Sequence, residues 1–196
     1  MIKKTNGIVV WAMLCIWVLI GCGSKPADSA LGEKKLLLLR HSKASSKKKY
    51  SDFKRPLTKK GRKDAQQLGE HIQSKRLKID CICSSSAVRA KSTAKVIAEV
   101  LDYPTANITL DSSLYKCKTR VMIDAIKNLA DSCKQVLIVG HNPAIIQTAN
   151  YFQRDTIFTD VPKSGLIGID FTNEHWSVLG HQEGRYRFFA VQDNNN

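Results

Sequence analysis

Three stretches of this chain are apolar at nearly every position, and each runs straight into a polar, charged segment. They are Leu36 to Leu39, Ile79 to Cys83, and Gln135 to Gly140 with its Val136-Leu137-Ile138-Val139 centre. Short continuous apolar runs bounded by turn residues predict strands buried on both faces. Between them the apolar spacing lengthens to a helical period. Thr58 is placed to N-cap a helix carrying Ala65, Leu68, Gly69 and Ile72 on one side. Ser86 is placed to cap a second, with Ala90, Thr93, Ala94, Ile97 and Leu101 at core spacing. A third carries Met122, Ala125, Ile126 and Leu129, and Asn142 or Pro143 opens a fourth, since proline suits a first helical turn. Gly165 to Val191 reads as two or three further strands. The polar stretch from Arg40 to Leu57 is longer than an ordinary connection, which predicts either a functional loop or a disordered one.

Strands alternating with helices predict an α/β fold, a three-layer sandwich whose mostly parallel central sheet is flanked by helices. Ligands in such sheets collect at the carboxyl ends of the strands. Arg40-His41-Ser42-Lys43 follows the first predicted strand, Ser84-Ser85-Ser86 with Arg89 the second, and Gly140-His141-Asn142-Pro143 the third. Two histidines and two arginines therefore converge on one mouth.

The first 22 residues follow another pattern. Lys3 and Lys4 precede an apolar run from Ile8 to Ile20, which ends in Leu19-Ile20-Gly21-Cys22. This resembles a bacterial lipoprotein signal, in which Cys22 is lipidated and becomes the mature N-terminus; an uncleaved anchor is the alternative. Either places the remainder outside the cytoplasmic membrane, in the cell envelope facing the periplasm or exterior. Gly23 after the cysteine favours the outer membrane if the cell is Gram-negative. The expected organisation is a signal or anchor over 1–22, a small polar tether over 23–33, one domain over 34–192 and a frayed tail over 193–196.

Composition adds charge. The 196 residues include 31 Lys+Arg against 17 Asp+Glu, a formal net charge of +14, of which the signal accounts for only Lys3 and Lys4. From Lys34 to Lys63 there are 13 Lys and Arg and a single acid, Asp52. Such a field draws phosphorylated proteins, polyphosphate or anionic head groups, or else is simply a solvated loop. Specific nucleic-acid binding is not expected, for want of a stacking platform or a reading helix. The 43% hydrophobic content excludes wholesale disorder. Export would leave Cys81, Cys83, Cys117 and Cys133, either as core thiols or in up to two disulfides.

The ordered pieces Leu39-Arg40-His41-Ser42-Lys43-Ala44, Arg55-Pro56-Leu57-Thr58-Lys59-Lys60-Gly61, Ser85-Ser86-Ala87-Val88-Arg89-Ala90 with Thr93, Val139-Gly140-His141-Asn142-Pro143 and Ser164-Gly165 resemble the histidine phosphatase (phosphoglycerate mutase-like) superfamily. Within it they are most similar to the short SixA-type phosphohistidine phosphatase branch, and they span residues 35–172. The resemblance implies that His41 is the nucleophile and that Arg40, Arg89 and His141 form the phosphate pocket, with Arg55 nearby. It also implies hydrolysis of phosphate monoesters or phosphoramidates through a phosphohistidine, without metal or cofactor.

The chemistry suits those residue types. A neutral imidazole attacks phosphorus and divides hydrolysis into two displacements. Guanidinium forks match the oxygens of the transferred group, and a protonated His141 would add a donor. Larger family members carry a carboxylic general acid in the pocket. The corresponding stretch here, Ser112 to Lys116, holds none, which leaves Asp52 as the substitute acid. His71, His175 and His181 match no motif and are expected to be structural. A mutase fits poorly, since the long insertions of such enzymes are missing. The rival to a phosphatase acting on a phosphorylated small molecule or phosphoprotein is a membrane-tethered, weakly active or inactive anion-binding module.

Overall fold

The structure is a computed structural model that describes residues 34–154 and 157–191. The expected signal, Cys22, the tether and the tail at 193–196 lie outside the described residues. Among those described, no helix is long and apolar enough to cross a membrane.

Among the described residues ten α-helices and strands follow one another: β1 (Lys34–Arg40), α1 (Lys59–Ser74), β2 (Cys81–Ser85), α2 (Val88–Val100), β3 (Thr109–Asp111), α3 (Thr119–Lys127), β4 (Gln135–Gly140), α4 (Ala144–Phe152), β5 (Leu166–Phe171) and β6 (Arg185–Ala190). The strands form one six-stranded sheet in the order β3-β2-β4-β1-β5-β6. β3, β2, β4 and β1 pair in parallel, while β5 runs antiparallel to both β1 and β6. The mostly parallel sheet read from the sequence is therefore right for its first four strands, and the C-terminal segment supplies two strands rather than three.

The leucine run explains the layering. Side chains alternate along a strand, so Leu36 and Leu38 face one layer and Leu37 and Leu39 the other. Leu36 and Leu38 pack with Met122 and Ile126 of α3, Ile145 and Phe152 of α4, and Trp176. Leu37 and Leu39 pack with Leu68 and Ile72 of α1 and with Ala90, Ala94 and Ile97 of α2. All four leucines are buried. At the amino end of β1 the buried Lys34 donates to the Asp131 carbonyl at 2.5 Å and lies 5.6 Å from the Trp176 ring centroid.

One expectation needs correcting. Ser86 does not cap α2: the cap position is Ala87, without a side-chain hydrogen bond, and the buried Ser86 hydroxyl has no partner. Thr58 does cap α1, its hydroxyl accepting from the Gly61 N–H at 2.9 Å. Of the two options for the cysteines, Cys81 and Cys133 form a disulfide beside the paired starts of β2 and β4, while Cys83 and Cys117 are free.

Candidate active site

The sheet register places the first site residues. Arg40 pairs with Gly140 across β1 and β4, and Ser84 of β2 pairs with Val139. Consequently His41 and His141 leave the sheet at one level, one step beyond Ser85 at the end of β2. The His41 N–H donates to the Gly140 carbonyl at 3.1 Å, and Arg40 exchanges backbone bonds with Ser164 and Gly165. The Ser42 N–H donates to Thr93 Oγ1, and the Ser42 and Ser164 hydroxyls meet at 2.7 Å. The backbone at His41 is thus tied to α2 and to the turn before β5, where Ser164 adopts a positive φ of 65°.

His41 has a defined tautomer. Its Nδ1 lies 2.8 Å from the Ser42 carbonyl, an acceptor, and its Nε2 receives the Nε–H of Arg89 at 3.0 Å. The proton therefore sits on Nδ1 and the lone pair on Nε2. Burial is the largest influence on this ring. The Ser42 bond works in the opposite direction, but with His141, Arg89 and Arg40 nearby the pKa is lowered to about 3. His41 is neutral throughout the physiological range.

His141 lies with its ring centroid 4.9 Å from that of His41. Its Nε2 is 3.0 Å from Ser85 Oγ, while Nδ1 is 3.4 Å from Arg89 Nη2. Because the guanidinium can only donate, Nδ1 is the unprotonated nitrogen. Burial first, then Arg89, pull its pKa down to about 4, with Asp52 opposing. His141 is therefore neutral in this arrangement.

Arg89 is buried and central, while Arg40 lies at the edge. Arg40 Nη1 donates to the Val161 carbonyl at 2.7 Å, with Asp160 at 3.8 Å. Arg55 donates from Nε to the Ser45 carbonyl at 2.5 Å and from Nη1 to Asp52 at 3.1 Å. Asp52 joins these groups. Its carboxylate also takes Arg89 Nη2 at 3.2 Å, the Tyr115 hydroxyl at 2.7 Å and Lys116 at 3.5 Å, and its carbonyl takes Arg89 Nη1 at 2.6 Å. The Tyr115 bond, then the arginines, hold the carboxyl well below the usual carboxylate range. An acid must carry a proton to donate one, and Asp52 carries none in this arrangement.

Five of the six sequence-predicted pocket residues, His41, His141, Arg89, Asp52 and Arg55, are thus linked side chain to side chain, with Arg40 at the edge. The sequence reading missed Tyr115, Lys116, Ser85 and Phe53. Tyr115 stands in the stretch where a carboxylate was sought, and its ring packs edge-on against His141 and Phe53 at 5.7 and 5.1 Å. His175 binds Asp131 and His181 packs on Tyr151, outside this cluster. Among the described residues no group of three or more His, Cys, Asp or Glu side chains is arranged to hold a metal.

Residues 36–115 match the family model described as histidine phosphatase superfamily (branch 1). That span runs from β1 to Tyr115 and includes Arg40, His41, Asp52, Arg55 and Arg89. A comparison with curated proteins returned no match. Among solved structures, a candidate phosphohistidine phosphatase SixA from Nakamurella multipartitia is 19% identical with a TM-score of 0.70, covering 80% of this chain and 95% of that one. A candidate SixA from Agrobacterium tumefaciens is 23% identical with a TM-score of 0.69, covering 81% and 97%. The protein histidine phosphatase SixA complexed with tungstate is 17% identical with a TM-score of 0.70, covering 80% and 96%. At these identities the likeness speaks for the fold.

Proposed function

We propose that this chain, whose residues 36–115 belong to the histidine phosphatase superfamily, is a phosphatase that works through a covalent phosphohistidine on His41. The observation carrying this reading is the His41 tautomer, which presents the Nε2 lone pair among Arg89, Arg40 and His141. In the first step Nε2 attacks phosphorus, an N–P bond forms, and the bond to the leaving group breaks. In the second, water attacks that phosphorus, the N–P bond breaks, and His41 recovers its lone pair as inorganic phosphate departs. Arg89 turns its N–H groups from Nε2 and His141 Nδ1 to the equatorial oxygens, where charge accumulates. Arg40 supports the same charge. A phosphate dianion between Arg89 and His141 raises the pKa of His141 and makes Nδ1 a donor.

Asp52 orients Arg89, Arg55 and Tyr115 and is not the acid. Lacking a poised proton, the site suits leaving groups that need little protonation, such as the imidazole of a phosphohistidine or the phenolate of an aryl phosphate, over the alkoxides of alkyl esters. The SixA names of the similar structures support phosphohistidine as the substrate class, and tungstate in one of them is a tetrahedral oxyanion like phosphate. Placement in the cell envelope, with Cys22 lipidated, is part of the proposal. The Cys81–Cys133 disulfide supports it, since such bonds persist in oxidising compartments.

The test is to incubate the full chain with radiolabelled acetyl phosphate or a phosphoramidate and quench in alkali. Acid-labile, alkali-stable label, absent from His41→Ala, is expected. Folded protein that takes no label and hydrolyses nothing would favour the tethered anion-binding module, the reading to which the ionised Asp52 lends weight.

A further inference from the structure

The long loop that leaves His41 is an ordered rim rather than a slack connection. Its arms pair through the Ala44–Leu57 bridge and the 2.8 Å bond from the Ser45 N–H to the Pro56 carbonyl. Its tip turns at Lys47–Tyr50 and folds back on α2, where Asp52 grips Arg89 and the Phe53 carbonyl accepts from Val88 N–H. The rim carries Lys43, Lys47, Lys48, Lys49 and Lys54, all exposed, and Lys116 stands across the mouth. None of the five rim lysines pairs with a carboxylate among the described residues. The one acid of the rim, Asp52, is taken up by Arg55, Arg89, Tyr115 and Lys116. The first turns of α1, which abut Lys43, add further exposed cations.

A single phosphoryl group is matched by the buried Arg89 and by Arg40 at the pocket's edge, so cations farther out have nothing to bind on a small monoester. We propose that this lysine collar is a docking surface for an acidic protein segment, which presents its phosphoryl group on a side chain to the recessed His41. The proposal rests on the phosphatase reading and names the kind of substrate that site takes. Carboxylates spaced along an extended segment suit separate, flexible ammonium groups, whereas phosphate arrays favour guanidinium forks. Phe53, 38% exposed on the rim, and Tyr50 offer apolar contact to a peptide that a bare polyphosphate could not use. Bilayer and nucleic-acid phosphates are chiefly diesters, and the pocket reads a terminal phosphoryl group.

The experiment compares two peptides bearing phosphorylated histidine, one flanked by glutamates and one by serines, on the full chain and on a Lys47→Glu, Lys48→Glu, Lys49→Glu variant. 4-Nitrophenyl phosphate reports the chemistry, and anisotropy of the labelled peptides reports binding. At about 20 mM salt the glutamate peptide is expected to show kcat/KM and affinity about tenfold higher than the serine peptide. That preference should vanish in the triple variant and in roughly 0.5 M salt, with 4-nitrophenyl phosphate turnover unchanged within about twofold. Equal handling of both peptides overturns the proposal, and so does a preference that survives the charge reversal. Collar-dependent binding to anionic vesicles or tripolyphosphate without peptide discrimination also overturns it. Loss of all turnover with peptide discrimination intact in anisotropy counts against the phosphatase reading and not against the collar.

Discussion

At the scale of single residues the site depends on keeping two imidazoles neutral beside three arginines. The sign of the resulting pH dependence follows directly. In the folded chain His41 titrates at about 3 and His141 at about 4, against 6.5 for an unperturbed histidine. Between those values the unfolded chain binds protons that the folded chain refuses. Stability is therefore full above pH 6.5 and falls as pH drops toward 4, by about 1.4 kcal/mol per pH unit for each histidine. Thermal unfolding between pH 6.5 and 5, before most carboxylates titrate, should show this slope, and His141→Asn should remove about half of it. A slope unchanged in that variant would assign the effect elsewhere. Asp52 allows a second test. As a positioning carboxylate, Asp52→Asn should raise KM several-fold and leave the ratio of aryl to alkyl phosphate kcat unchanged, whereas removing a true general acid lowers the alkyl rate by about a hundredfold or more. His41, Arg40, Arg89 and His141 were legible in the sequence because each follows a strand that a plain apolar run identifies. Tyr115 was not. Its part comes from one hydroxyl reaching Asp52 across 63 positions of chain, a contact that no local pattern records.

Among the elements, α1 meets the active-site loop at its first turn. Gly61 lies in its first turn, and a Cβ there would stand 2.0 Å from the Lys43 carbonyl oxygen, two residues past His41. That carbonyl also accepts from the Thr58 N–H and hydroxyl. Gly61→Ala should therefore cost about 2 kcal/mol or more and displace the backbone beside the nucleophile. Chemical denaturation and 4-nitrophenyl phosphate turnover should both register it; a variant normal in both would show that the contact is dispensable. The helices themselves were readable from their apolar spacing, and Thr58 from its position before one. The cap of α2 was misread because three serines precede it and the sequence does not say which turns toward the helix. Ser85 instead faces His141 at 3.0 Å, and the chain enters α2 at Ala87 with no side-chain cap. β3, with three residues, was too short to leave an apolar signature.

On the scale of the whole molecule, stabilising links and chemistry occupy opposite ends of the sheet. The disulfide joins residues 52 apart in sequence at the amino ends of β2 and β4. Closing a loop of that length stabilises by about 4 kcal/mol in the chain-entropy account. Reduction should lower Tm by roughly 10 °C while leaving kcat/KM unchanged at temperatures where the reduced protein is folded. A fall in kcat/KM under those conditions would mean that the two ends communicate. The layering followed from strand–helix alternation, but the strand order and the cysteine pairing did not, because four thiols allow several pairings and only strand register brings two of them together.

The direction of β1 has a practical consequence. Its seven residues run from the buried Lys34 to Arg40 at the catalytic mouth, a distance of about 20 Å. The last strand ends the other way: Ala190 lies in register with Leu166, which faces Leu39. Lys34 therefore stands at the end of the sheet away from the mouth, and Ala190 stands beside the opening. Attached to a surface through its amino terminus, the domain would hold its opening outward to large partners. Attached through its carboxyl terminus, the same molecule would still process small phosphates while its bulky substrates met the support first.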